Sequence, residues 1–343
     1  MIHGTSAPRQ APWREELARA ITNPQDLLAT LGLPATLLPA AERAHALFPL
    51  RVPRPYLARI TPGDPDDPLL RQILPLAAEE HVAAGDLRDP VGDLAAQVAP
   101  GVLHKYQGRV LLTATGACAV HCRYCFRRHF PYAEANAARD DWRSAVTYIA
   151  ENPSVREVIL SGGDPLTLAD DKLVVVIRRL EAVDHVQTLR LHSRVPVVVP
   201  SRVDNGLLAV LHKTRLAVVL VLHINHPREI DQDVASACGR LRAAGVTLLN
   251  QSVLLAGVND EADVLVGLSE RLFAAGVLPY YMHMLDRVQG AAHFAVAEDV
   301  ALGLMRAVRD RLPGYLVPRL VREVAGAPAK IPVPEVGGSL CYG

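Results

Sequence analysis

The 343-residue chain carries no excess of charge of either sign: Lys plus Arg and Asp plus Glu each number 36, a formal net charge of zero. It therefore lacks the electrostatic footprint of most nucleic-acid binders and of proteins that cling to anionic membranes, and a small or locally charged substrate is expected instead. No apolar run reaches the roughly 18 residues of a membrane span, and residues 1–14 lack a basic flank followed by an apolar stretch. Neither a span nor a secretory leader is expected, which assigns the protein to the cytoplasm. An even set of cysteines at disulfide spacing is missing too. There are five; Cys118, Cys122 and Cys125 crowd together while Cys238 and Cys341 stand alone, a pattern for a metal or cluster in a reducing compartment. An apolar share of 50% excludes a disordered chain and allows a sizeable core.

What is present falls into three stretches. Residues 1–105 read as an N-terminal helical region: Trp13 to Ile21, Asn23 to Leu31 and Ala40 to Leu47 have helical apolar spacing, then prolines punctuate Pro53 to Pro68. Over 106–314, β-branched apolar runs alternate with amphipathic segments. The expected strands are Val110 to Thr115, Glu157 to Ser161, Thr188 to His192, Ala217 to Ile224, Thr247 to Leu254 and Leu278 to Met284. The expected helices are Asp170 to Glu181, Asn205 to His212, Asp231 to Ala244, Glu261 to Ala275 and Glu298 to Arg311. Residues 315–343 form a C-terminal segment, extended over Tyr315 to Val324. Six βα units with right-handed crossovers make an α/β protein, either a barrel or an open doubly wound sheet, and both put chemistry at the C-terminal ends of the strands.

Unusual residues cluster at those ends. Cys118-x3-Cys122-x2-Cys125 follows the first strand; three thiolates can hold three irons of a four-iron cluster and leave the fourth open. Structural zinc, with His121 or His129 as fourth ligand, stands as the alternative reading of the same spacing. Ser161-Gly162-Gly163-Asp164 follows the second strand, where adjacent glycines admit a ligand close to the backbone and Asp164 can accept from an ammonium group. His192-Ser193-Arg194, His223 to His226, Asn250 to Ser252 and Asp286 close the other strands.

The cysteine loop, with Tyr124 before its last cysteine, resembles the signature of the radical S-adenosylmethionine superfamily, which implies a partial (β/α)6 TIM-like barrel. Its [4Fe-4S] cluster binds S-adenosylmethionine and, given one electron, cleaves it to methionine and a 5′-deoxyadenosyl radical. The run Cys122 to Tyr132, with Leu160 to Leu166, His223 to Pro227, Asn250 to Asn259 and Pro279 to Phe294, resembles the lysine 2,3-aminomutase family, and within it the branch that makes β-lysine for translation elongation factor P. The likeness runs from about Trp13 to Pro332.

That resemblance implies a radical, pyridoxal-phosphate-dependent isomerase acting on L-lysine. Cys118, Cys122 and Cys125 hold the cluster; Gly162, Gly163, Asp164, Ser193, Arg194 and Gln251 bind S-adenosylmethionine. Lys330, in a small apolar loop where desolvation favours Schiff-base formation, matches the lysine that carries pyridoxal phosphate. Lys105 and Arg109 match the holders of its phosphate. Arg127 matches the arginine for the substrate carboxylate, and Asp286 and Glu323 the anions for the distant ammonium. Departures from the family are Glu323 for an aspartate, His283 for a tyrosine, and no C-terminal cysteine cluster for zinc, since Cys341 alone cannot rebuild it; these favour the elongation-factor branch. Implied partners are a reductant such as flavodoxin or ferredoxin and a β-lysine ligase acting on elongation factor P, with no nucleic acid, no membrane and a homo-oligomer left open. The competing classes are a free-lysine aminomutase, a radical aminomutase for another amino acid, and a non-catalytic zinc-stabilised binding protein.

Overall fold

The computed structural model describes residues 11–334; the first ten residues and the end of the chain, Cys341 included, lie outside them. Valine- and leucine-rich runs form one sheet whose spatial order follows the chain: β1 (Gln97–Ala99), β2 (Val102–Tyr106), β3 (Arg109–Thr115), β4 (Glu157–Gly162), β5 (Thr188–Ser193), β6 (Ala217–Leu222), β7 (Thr247–Val253), β8 (Leu278–His283), β9 (Arg319–Arg322) and β10 (Ile331–Pro332). From β3 to β9 every neighbour is parallel. β1 and β2 add antiparallel at one end and β10 at the other. β1 and β10 do not pair, so the sheet stays open as a partial TIM-like barrel.

The six expected strands match β3 to β8 within two residues at either end, and the five expected helices are present. Two are started by side-chain caps: Asp204 caps Asn205–His212 by accepting from the Leu207 N–H, and Asp231 caps Gln232–Ala243 by accepting from the Val234 N–H. Three features correct the sequence reading. The β1–β2 pair lies in a stretch read as helices and proline-rich connections. β9 falls inside the expected extended segment Tyr315 to Val324 and pairs with β8 as a seventh parallel strand, one more than the six expected. A helix at Arg143–Ala150 supplies the crossover between β3 and β4, entered through Asp141 and Trp142, both at positive φ. No propensity rule foresees a tryptophan there; it is bought by burial, since Trp142 is almost fully enclosed.

Two main cores hold the molecule, with a small third cluster of Leu255, Val258 and Phe294 beside them. The larger joins Leu27, Tyr56, Leu69 and Ile73 of the N-terminal region to Leu112, Leu160, Leu191 and Leu220 of the strands and to Leu173, Val176 and Leu241 of the helices. The smaller gathers Met282, Leu302, Met305, Leu316, Leu320 and Val333 around β8, β9 and the helix Glu298–Arg311. Among the described residues no helix is long and apolar enough to cross a membrane.

Candidate active site

Where β3 leaves the sheet, the loop turns back on itself and carries Cys118, Cys122 and Cys125 to the wall of a cavity of about 370 Å³. Two buried carboxylates support that loop from behind. Glu79 accepts from Arg123 Nε and Nη2 at 2.8 and 2.5 Å and from Arg128 Nη2 at 2.8 Å. Glu229 accepts from Arg194 Nη2 at 2.8 Å, while Arg194 Nη1 donates to Cys122 Sγ at 2.7 Å and to the Tyr124 hydroxyl at 2.8 Å. Burial and the neighbouring thiols raise Cys118, and burial pushes Cys125 up to about 11, so a bound cation is what would draw their protons off.

His121 and His129, the fourth ligands of the zinc alternative, do not line the cavity that the three cysteines share. His121 Nδ1 is engaged by the Pro49 carbonyl at 2.8 Å and its ring stacks on Phe48; His129 Nε2 faces the Gln289 carbonyl at 3.3 Å. No group of three or more His, Cys, Asp or Glu among the described residues is set to hold a single metal ion. Three thiols on one cavity are the donor set of a four-iron cluster with one iron left open.

Beyond β4 the glycines are needed for space. Gly162 has φ 105°, and a Cβ on Gly163 would lie 2.3 Å from the Ala117 carbonyl oxygen. Asp164, expected to receive an ammonium group, is already occupied: Oδ1 accepts from Ser193 Oγ at 2.7 Å and Leu166 N at 3.0 Å, Oδ2 from Arg194 N at 2.7 Å and Val195 N at 3.1 Å. Four donors fill a carboxylate. Asp164 and Ser193 thus tie the ends of β4 and β5 together, and Arg194 braces the cysteine loop from below. Gln251 meets His223 at 3.1 Å on the cavity wall.

At the far end of the same cavity, charged side chains alternate in sign. Arg127 Nε donates to Asp93 Oδ2 at 2.6 Å, and Lys105 Nζ lies 2.6 Å from Asp93 Oδ1 and 3.0 Å from Glu323 Oε1. Lys330 Nζ lies 2.7 Å from Glu323 Oε2. Burial opposes the charge on Glu323, but Lys330 and Lys105 outweigh it and hold the carboxyl down at about 2. Asp93, which the sequence reading missed, is likewise buried and kept low by Arg127 and Lys105. Asp286 differs: burial and the nearby Glu323 charge push it up to about 7. Arg109 lies over the Tyr106 ring at 4.6 Å. Glu323, expected to await a substrate ammonium, instead bridges two lysines of the chain, and Lys105 has carboxylates rather than open space around it.

The cavity fits organic cofactors as well as a cluster. His192 and His283 line it, each with a buried Nε2 that has no partner among the described residues, and burial lowers both well below the usual imidazole range, which keeps the rings neutral. Polar atoms of this kind need a ligand to satisfy them.

Comparison with known proteins agrees with this geometry. Residues 112–266 match the Radical SAM superfamily. The L-lysine 2,3-aminomutase of Escherichia coli (strain K12) is 48% identical over 329 residues, 96% of this chain and 96% of that protein. The L-lysine 2,3-aminomutase of Haemophilus influenzae is 48% identical over 318 residues, covering 93% and 94%. That of Acetoanaerobium sticklandii is 36% identical over 323 residues, covering 94% of this chain and 78% of its own. With near-full-length identity of this order, the chain belongs to the L-lysine 2,3-aminomutase family of radical S-adenosylmethionine enzymes.

Proposed function

We propose that the protein converts L-lysine to β-lysine by moving its α-amino group to the β-carbon, and that the product serves to modify elongation factor P. The observation that carries this reading is that one cavity is lined by the three cysteines and by Lys330. The family's cofactors are a [4Fe-4S] cluster, S-adenosylmethionine and pyridoxal phosphate. When bound, the cluster and S-adenosylmethionine supply a 5′-deoxyadenosyl radical, and pyridoxal phosphate supplies the carbonyl and conjugated ring through which nitrogen crosses.

In this reading Cys118, Cys122 and Cys125 hold the cluster, and Gly162 and Gly163 give backbone access for S-adenosylmethionine beside Gln251. Lys330 carries pyridoxal phosphate and Arg109 faces its phosphate. Arg127 takes the substrate carboxylate, its guanidinium aimed by Asp93 and by the Phe126 and Phe130 rings at 4.8 and 5.9 Å. Asp286 receives the distant ammonium. The migration asks no strong acid or base of the protein, which has to orient the β-hydrogen and exclude water. Anaerobic reconstitution with iron, sulfide and pyridoxal phosphate, then incubation with L-lysine, S-adenosylmethionine and a strong reductant, tests it. Chiral chromatography should find β-lysine, and its enantiomer separates the elongation-factor branch from the free-lysine one. Deoxyadenosine without β-lysine would discard lysine as substrate; neither product from cluster-loaded protein would discard catalysis.

A further inference from the structure

An ammonium group has three N–H donors and no acceptor. Those of Lys105 end on Asp93 Oδ1 at 2.6 Å, Glu323 Oε1 at 3.0 Å and the Val91 carbonyl at 2.7 Å, which leaves none for a phosphate. Arg109, three residues beyond Tyr106 at the start of β3, forms no ion pair among the described residues and lines the same cavity. The matching of Lys105 to a phosphate holder therefore fails on donor count, and that of Arg109 does not.

We propose that Lys105 is a positioning residue: by spanning Asp93 and Glu323 it fixes the distance between Arg127, which takes the substrate carboxylate, and Lys330, which carries pyridoxal phosphate. The inference rests on the roles given above to those two residues. Each carboxylate uses one oxygen per cation, Asp93 for Arg127 and Lys105, Glu323 for Lys105 and Lys330. Lys105 is therefore the single group common to both pairs. It also joins parts of the chain that the sheet keeps apart, since β2 lies near one end of the strand order and Glu323 just past β9 near the other. Without it, two carboxylates would face each other with only the outer cations to hold them, and like charges would spread the site.

The test separates contact with phosphate from positioning. In anaerobically reconstituted protein, capture of pyridoxal phosphate and of pyridoxal, which lacks the phosphate, is measured by borohydride reduction and peptide mass at Lys330. The ratio of the two apparent affinities isolates the phosphate contact. Arg109→Gln should lower that ratio about tenfold or more, the worth of one charge-assisted hydrogen bond; Lys105→Gln should leave it within about threefold. Lys105→Gln and Asp93→Asn should each raise KM for L-lysine about tenfold, and the double variant should be no worse than either, because the two residues act as one unit. Lys105→Arg should recover most of the loss. A ratio that collapses in Lys105→Gln as it does in Arg109→Gln overturns the proposal, as do KM effects that multiply. Should Lys105→Gln not fold, a folded Asp93→Asn with unchanged KM is equally fatal. Wild-type protein with no imine on Lys330 would instead sink the functional reading on which the proposal rests.

Discussion

Asp286 offers a test of substrate recognition by pH. Its carboxyl is raised to about 7 by burial and by the Glu323 charge, so before substrate arrives it is largely protonated in mild acid. A lysine ammonium needs it ionised. At pH 8 about nine-tenths of the sites are ionised and at pH 6 about one-tenth, and each further unit down costs about 1.4 kcal/mol of binding. L-Norleucine ends in a methyl group where lysine ends in an aminomethyl group, so it lacks the distal ammonium and shares every other titrating group with lysine. The ratio of lysine to norleucine affinity, measured by competition calorimetry on the loaded enzyme, should fall about tenfold from pH 8 to pH 6. In Asp286→Asn that slope should vanish. The sign also holds for stability: a carboxyl whose folded pKa lies above its unfolded value of about 4 imposes a cost that is present above pH 7 and is relieved as the pH falls toward 4. A lysine to norleucine ratio that stays level between pH 8 and 6, or a slope that survives in Asp286→Asn, would refute the assignment.

Four further outcomes are expected. Serine in place of Cys118, Cys122 or Cys125 should abolish deoxyadenosine formation and lower bound iron, whereas Lys330→Ala should keep the iron and lose borohydride-trapped pyridoxal phosphate, both read by metal analysis and mass spectrometry. Glu79→Ala leaves Arg123 and Arg128 buried with no carboxylate, which should cost about 3–5 kcal/mol in chemical denaturation and reduce cluster content. Gly163→Ala forces a methyl against the Ala117 backbone and should weaken S-adenosylmethionine binding in equilibrium dialysis. Raising salt from 0.1 to 0.5 M should barely change KM for lysine, because the pairs from Arg127 to Lys330 are buried and poorly screened.

The barrel strands were legible because each is a short β-branched run ended by a turn, and because helix starts such as Asp204 and Asp231 carry their own caps. The residues proposed for the site came from spacing and resemblance: the cysteine triplet, the paired glycines and the loop of Lys330 all line one cavity. What the sequence hid were partners whose meaning is purely spatial. Glu79, Asp93 and Glu229 stand in no motif, yet each is buried against arginine or lysine far away in the chain. The partners of Asp164 and Lys105 within the chain were hidden for the same reason, since counting donors and acceptors requires knowing who stands beside them. β1 and β2 were missed because strands this short, on the outside of the parallel array, have too few residues to show alternation.

The division into two cores has a consequence for how the protein comes apart. The cysteine loop is built on the large cluster of buried side chains, while Lys330 sits between the four-residue β9 and the two-residue β10 against the small one. Local opening follows the amount of apolar contact that must be undone, so the C-terminal hairpin belongs to a less protected unit than β3 to β7. Amides of β9 and Val333 should exchange with solvent deuterium well before those of β5 and β6. Under mild denaturant the protein should then pass through a form that has released its aldehyde cofactor while still holding iron.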